Sequence, residues 1–251
     1  MKKMNLNTIL PVSLFARKQW LLGQGLSKHT IDNWLKSGRI DNCGRGVYKR
    51  PELPLEYQGV LSSFVNMNEM VVYLGGVSAL EQQGFGHYIA SKPKYYVYSD
   101  TAEPSWFNGL LPKVLLEWVS TKQLWAGSLE DLGLKRIKWR EDIPSYYMAS
   151  VEQAYLELLY SVPNQFSFEF ADQIMEGLTT LSPEKMKKNL LCCKSIKTKR
   201  LFFWFAKKHQ HSWLKYINQK DFELGSGKRV IAKDGALDKD LLITVPRELH
   251  G

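Results

Sequence analysis

The 251-residue sequence predicts an α+β protein in two parts, an N-terminal winged helix-turn-helix domain followed by a mixed α/β domain with a small sheet and several helices. Three observations predict it. Residues 26–51, LSKHTIDNWLKSGRIDNCGRGVYKRP, set a capped amphipathic helix beside a glycine-rich hairpin. Beyond residue 94 come β-branched and aromatic runs bounded by turn residues, and after residue 148 helical spacing takes over. Charge is also segregated: residues 1–50 hold ten Lys/Arg against two Asp/Glu, residues 51–183 eight against sixteen, and residues 184–233 fourteen against three. Basic blocks around an acidic middle favour a polyanionic partner, because Lys and Arg that neutralise phosphates release condensed counterions.

Bulk properties exclude several classes. With 44% hydrophobic and 24% charged residues and no low-complexity tract, the chain is expected to fold rather than stay disordered. No apolar run approaches the ~20 residues of a membrane span, and Pro11 and Arg17-Lys18 interrupt the N-terminal apolar stretch, so the expectation is an unprocessed cytoplasmic protein with no membrane partner. Three cysteines, two of them adjacent at Cys192 and Cys193, show no CxxC or Cys/His ligand spacing. Neither disulfides nor structural zinc are expected.

Taken in order, FARKQWLLGQG reads as a helix with Phe15, Trp20 and Leu21 on its apolar side and a glycine turn at its end. In the next segment Ser27 is placed as an N-cap, Ile31, Trp34 and Leu35 form one apolar stripe, and Gly38 is the stop. The opposite face carries His29, Asn33 and Lys36, with Lys28 and Thr30 on the first turn: donors for phosphate, and in Asn and Lys the means to read purine edges. Gly44 and Gly46 bracket Arg45 at a hairpin tip, where positive φ must be tolerated, with Lys49 and Arg50 on the return strand. Arg45 is thereby placed to reach backbone phosphate or the minor groove. EYQGVLSSFVNMN and GGVSALEQQGFG read as two further helices that complete this first module.

The domain boundary is placed between Ser91 and Lys94, giving residues 1–93 and 94–251. KYYVYSD, PKVLLEWVS and LKRIKWR read as strands; MASVEQAYLELLYSV, ADQIMEGLTTL, SPEKMKKNLLCC and KTKRLFFWFAKKHQHSWLKYI read as helices; LGSGKRVIA and LLITVP read as extended pieces. The basic block from Lys185 to Lys233 interleaves Trp204, His209, His211 and Trp213 with cations, an arrangement able to stack single-stranded bases. It is equally the pattern of amphipathic helices with Phe202, Phe205, Trp213 and Leu214 in a core, which leaves the cations only a supplementary backbone contact.

Catalytic patterns fail residue by residue. In GSGKR, Phe222 stands where a phosphate loop needs its first glycine, and Arg229 replaces the magnesium-binding Ser/Thr. GVSAL approaches the nucleophile elbow, but Leu80 replaces its last glycine. His209 and His211, two apart, point to different helix faces, and HExxH is absent. Asp100 and Glu117 lie near expected strands, as metal-dependent nuclease carboxylates would, without a lysine two positions after Glu117. The reading is a non-enzyme with no catalytic residues, cofactor or metal.

The segments GRGVYKRP, ASVEQAYLELL, KRLFFWFAKKHQHSWLKYI and LGSGKRVIAKDGALDKDLLITVP resemble the AbiEi family, antitoxins of bacterial type IV toxin-antitoxin systems associated with phage defence. The resemblance spans essentially the whole chain. It implies a winged-helix N-terminal domain that represses transcription by recognising inverted repeats in the operon's own promoter. It further implies a C-terminal antitoxin domain that counters an AbiEii-type nucleotidyltransferase toxin without a stable complex. By position it marks Lys28, His29, Thr30, Asn33, Lys36 and Arg45 as DNA contacts, with Lys49 beside them on the wing, while Glu152 and Arg200 match the family pattern in roles that are functional or structural. The alternative is a solitary winged-helix regulator whose C-terminal domain senses a ligand or dimerises.

Overall fold

The chain is first drawn into a turn at Asn5, whose side chain accepts from the Asn7 N–H and opens helix α1 (Leu6–Ile9). The structure, a computed structural model, describes residues 5–86, 93–107, 110–111 and 115–249; Ser91 and Lys92 at the expected boundary and the opening residues 112–114 of PKVLLEWVS lie outside them. Two compact units are built from interleaved segments. The first takes Met1–Leu74, Ala90–Ser120 and Lys135–Met148; the second takes Gly75–Ile89, Thr121–Leu134 and Ala149–Gly251.

In the first unit, strand β1 (Phe15–Arg17) precedes helices α2 (Lys18–Gly23) and α3 (Lys28–Lys36), and the hairpin β2 (Asp41–Gly44) and β3 (Val47–Lys49) follows. The three strands order as β1-β3-β2, antiparallel throughout. This is a winged helix-turn-helix. Phe15, expected in a helix, is in β1 instead: its Cα faces Lys49 of β3, its N–H is taken by Ser63 Oγ at 2.8 Å, and its side chain is fully buried. Pairing with a strand some thirty residues away has overridden local helical spacing.

Leu6, Leu10, Leu14, Leu21, Ile31 and Trp34 form the core of this module, joined by Tyr48 from the wing and by Ile143 from far along the chain. Each such burial is worth roughly 1.5–3 kcal/mol. Helix α4 (Tyr57–Met67) ties the module to a second sheet, with Gly59 so close to Ser13 that a Cβ would lie 2.1 Å from the Ser13 carbonyl oxygen. Only glycine fits there. The second sheet, order β6-β5-β4-β8-β7, is made of β4 (Tyr73–Leu74), β5 (Lys94–Ser99), β6 (Leu115–Ser120), β7 (Lys135–Ile137) and β8 (Tyr146–Met148). β5 runs parallel to β6 from Lys94↔Leu115 to Ser99↔Ser120. After it, Trp139 Nε1 donates to Ser62 Oγ at 3.1 Å and Arg140 donates to Ser13 Oγ at 3.1 Å.

The second unit holds α5 (Gly76–Gln82), α6 (Val151–Ser161), α7 (Phe168–Gly177), α8 (Pro183–Cys192) and α9 (Ile196–His209), with a three-stranded sheet ordered β10-β11-β9 from β9 (Arg229–Val230), β10 (Ala236–Asp238) and β11 (Ile243–Val245). Helix α5, expected to complete the first module, belongs here: its first N–H, from Gly76, donates to Glu157 of α6 at 2.7 Å. Ser150, Ser167, Ser182 and Ser195 cap α6 to α9, each accepting from the N–H three residues on. A cap of this kind contributes ~1 kcal/mol. From Glu152 to Leu159, α6 is buried on every side, and its two carboxylates take up neighbouring N–H groups. Glu157 accepts from Gly76, from Gln153 at 3.0 Å and from the Trp125 indole at 3.3 Å, and Glu152 accepts the Ser182 N–H at 2.9 Å.

Candidate nucleic-acid interface

The expected reading face begins where Ser27 Oγ accepts the Thr30 N–H at 3.0 Å and caps α3. Inside that cap, Ile31 and Trp34 turn into the core. The helix ends on Gly38 at φ +66°, with the Arg39 N–H reaching the Trp34 carbonyl at 2.9 Å and the Gly38 N–H the Leu35 carbonyl at 3.0 Å. Those two bonds satisfy the last carbonyls and fix where α3 stops. Between the ends, Lys28, His29, Asn33 and Lys36 are exposed, as is Asp32. Lys28 occupies the first helical position, where the positive end of the macrodipole opposes it, so helix stability does not explain a cation there.

The wing turns at Gly46, φ +68°, which is the positive-φ position the sequence demanded. Gly44, expected to share that conformation, is not at positive φ, and a Cβ there would make only ordinary contact, 3.4 Å from the backbone oxygen of Trp106. Arg45 between them is exposed. Among the described residues, no salt bridge engages Lys18, Lys28, Lys36 or Arg45.

The expected residues fall into two hollows and a remainder. Lys28 and Arg45 share a groove of about 430 Å³ with Lys18, Leu22 and Trp106. Thr30, Asn33 and Lys36 line an open hollow of about 590 Å³ with Arg39. Thr30 is half-buried, and its hydroxyl lies 2.9 Å from Ser27 Oγ, so it serves the cap as well as the hollow. His29 Nε2 is 3.1 Å from Asn33 Nδ2. Lys49 is committed within the hairpin, 3.6 Å from Asp41 and donating to the Arg50 carbonyl at 3.2 Å. Arg50 in turn is held by Glu52, whose carboxyl its hydrogen bond pulls below the usual carboxylate range.

Lys18, Arg39 and Trp106 also line these hollows, and sequence reasoning did not single them out. Lys18 and Arg39 carried a signal, as cations flanking the two helices of the motif. Trp106 carried none, since only folding brings it back to the wing. Cys43 in the wing is half-buried, and burial raises its thiol to about 11, so it is protonated at neutral pH.

Within the second basic block, helix α9 and the residues that follow it are differently employed. Trp204 and Trp213 are only 6% and 4% exposed, so they are core and unavailable to bases. His209 Nε2 lies 2.7 Å from Asp172, and His211 Nε2 lies 2.8 Å from the Met175 carbonyl. Arg200, 1% exposed, donates to the carbonyls of Leu224 at 2.6 Å, Gly225 at 2.8 Å, Gly227 at 2.7 Å and Leu242 at 3.1 Å. It is a clamp on the C-terminal sheet. Lys197 donates to the Tyr160 and Val162 carbonyls at 2.6 and 2.5 Å, closing the end of α6. Burial brings its ammonium down to about 8.

Glu117 pairs with Lys94, Asp100 is exposed, and among the described residues no three His, Cys, Asp or Glu are placed to hold a metal ion. No helix among the described residues is long and apolar enough to cross a membrane.

A winged helix-turn-helix whose helix and wing present uncommitted cations defines the class: a transcriptional regulator of the winged-helix type. The chain belongs to the AbiEi antitoxin family of type IV toxin-antitoxin systems. The profile of the transcriptional regulator AbiEi antitoxin N-terminal domain matches residues 2–91, and that of the transcriptional regulator AbiEi antitoxin of the type IV system matches residues 92–246. No curated protein matches the sequence. Among solved structures the chain is similar to the crystal structure of the RV2827C protein from Mycobacterium tuberculosis, with a TM-score of 0.56 at 13% identity over 92% of this chain and 85% of that one. That likeness is one of fold.

Proposed function

We propose that this protein is a bifunctional autorepressor and antitoxin. Residues 1–93 bind inverted repeats in the operon's own promoter, and residues 94–251 counter a nucleotidyltransferase toxin encoded alongside, in the cytoplasm and without a stable complex. It acts by binding, with no catalytic step, cofactor or metal. The observation that carries the DNA half is the exposed face of α3 beside Arg45 at the wing, where cations from separate segments stand without carboxylate partners among the described residues. Family membership over residues 2–246 supports the antitoxin half.

In this reading Lys28, Lys36 and Arg45 neutralise phosphates, Asn33 reads a base edge with His29 beside it, and Thr30 and Lys49 support the helix start and the wing. Two inverted half-sites let two monomers occupy one operator. A footprint of the pure protein on its upstream region, together with co-expression of the adjacent gene, tests both halves. Protection of an inverted repeat and relief of toxicity are the expected outcomes. An unprotected promoter removes the repressor, and a neighbouring gene whose product is no nucleotidyltransferase and needs no relief leaves a solitary regulator.

A further inference from the structure

The groove shared by Lys28 and Arg45 has a floor that neither the recognition helix nor the wing supplies. Trp106 lines it, together with Leu22 of α2. Its ring packs edge-on against Phe15 at 5.5 Å and stacks on Phe64 at 5.9 Å, so β1 and α4 hold it from the core side. Arg17 lies over the same ring at 5.4 Å, and its charge is answered by Glu69 at 2.5 Å. Arg17 lines the groove too, but as one half of an ion pair. The lining cations with no salt bridge among the described residues are Lys18, Lys28 and Arg45, in the same groove as a half-buried indole.

A ring of cations alone is suited to any anion. Cations around an apolar floor fit a ligand that alternates anionic and apolar units, and the backbone of duplex DNA does so, with phosphates on either side of each deoxyribose. We infer that this groove is a sugar-phosphate subsite in which Trp106 receives a deoxyribose while Lys18, Lys28 and Arg45 take the flanking phosphates. The inference rests on the DNA-binding reading above and extends it past residue 93, because the floor comes from a segment that the sequence assigns to the antitoxin domain. The Trp106 backbone oxygen also lies beside the wing, 3.4 Å from where a Cβ on Gly44 would stand.

The two components separate by salt. A phosphate contact contributes through counterion release, so its loss lowers the slope of log affinity against log salt by roughly one. Apolar burial carries no such dependence. The test measures affinity of the full chain and its variants, from low to high salt, for a duplex from the upstream region and for a random-sequence duplex. Trp106→Ala is expected to weaken both by about tenfold with the slope unchanged, whereas Arg45→Ala lowers the slope. Trp106→Phe keeps an aromatic against Phe15 and Phe64 and carries the test if the alanine variant unfolds early in urea; a loss of about threefold at constant slope is expected. A folded Trp106 variant that binds like the parent while Arg45→Ala still lowers the slope overturns the inference and leaves the DNA reading intact. A parent that binds neither duplex overturns both.

Discussion

Helix α3 and helix α9 are both amphipathic helices that carry cations and aromatics, and they put their cations to opposite uses. On α3, Lys28 and Lys36 are exposed, and Arg45 of the adjoining wing is exposed too, with no salt bridge to any of the three among the described residues. On α9, Arg200 and Lys199 are buried, Lys197 is spent on carbonyls, Lys208 on Asp172 and Lys207 on Asp240. Counting Lys and Arg along each helix gives α9 the larger number, five against two. Counting charge that a ligand can still use reverses the order. A basic stretch is a binding surface only in proportion to the cations that folding leaves uncommitted.

The sharpest way to break the comparison is Arg200→Met. Four backbone carbonyls lose their donor in a buried setting, and the expected cost is about 3–5 kcal/mol in urea unfolding, because hydrogen bonds to a charged donor are the strong ones and orphaned acceptors are expensive. A loss below about 1 kcal/mol would return this arginine to the pool of available charge. On the other side, Asn33→Ala is expected to cost about 1–3 kcal/mol on the specific site and nearly nothing on random duplex. With His29 accepting at Nε2, one Asn33 N–H is spent, and the amide keeps one acceptor and one donor, the pair that complements adenine N6 and N7. His29→Ala then lowers the preference at that base by less than Asn33→Ala. Equal losses on specific and random duplex would refute this assignment.

Arg45→Ala sharpens the contrast from the side of charge. It is expected to weaken binding to every duplex, to lower the salt slope by roughly one, and to leave the urea midpoint where it was. Lys207→Ala, on the committed side, is expected to change neither binding nor slope, and its exposed pair with Asp240 is worth about 0–1 kcal/mol of stability. If the two alanine variants shift the slope alike, availability is the wrong distinction.

What was legible in the sequence follows from how far a signal must travel. The cap at Ser27, the buried Ile31 and Trp34 and the stop at Gly38 are local, within one helix, and periodicity and turn chemistry are enough to place them. The wing tip is local as well. Strand β1 was not legible, because three residues become a strand only by pairing with β3; nor was β4, two residues at the centre of a five-stranded sheet. Trp106 reaches the groove across more than sixty residues of chain, and no spacing rule carries such information. The roles of Glu152 and Arg200 were left open for the same reason: a buried arginine on four carbonyls and an exposed one beside a phosphate look identical until the carbonyls arrive.

Lys197 offers the finest test, because its commitment to the interior makes its charge a liability that pH can remove. Burial lowers its folded-state value to about 8 from the model-peptide 10.5, so between those limits the unfolded chain binds more protons than the folded one. Stability therefore gains with rising pH across that window, and the penalty is fully present below about 8. Lys197 is partly solvated, which leaves about 1 kcal/mol of the effect after screening. The thiols of Cys43 and Cys193, both raised by burial to about 11, act in the opposite sense above pH 9, but they are common to the parent and to a Lys197→Met variant and cancel in the difference. The difference in urea stability between parent and Lys197→Met is thus expected to move in the parent's favour from pH 7 to pH 10, while the same comparison for Lys207→Met stays flat. A flat profile for Lys197→Met would place its ammonium in water, and with it the claim that α9 holds its cations for the fold.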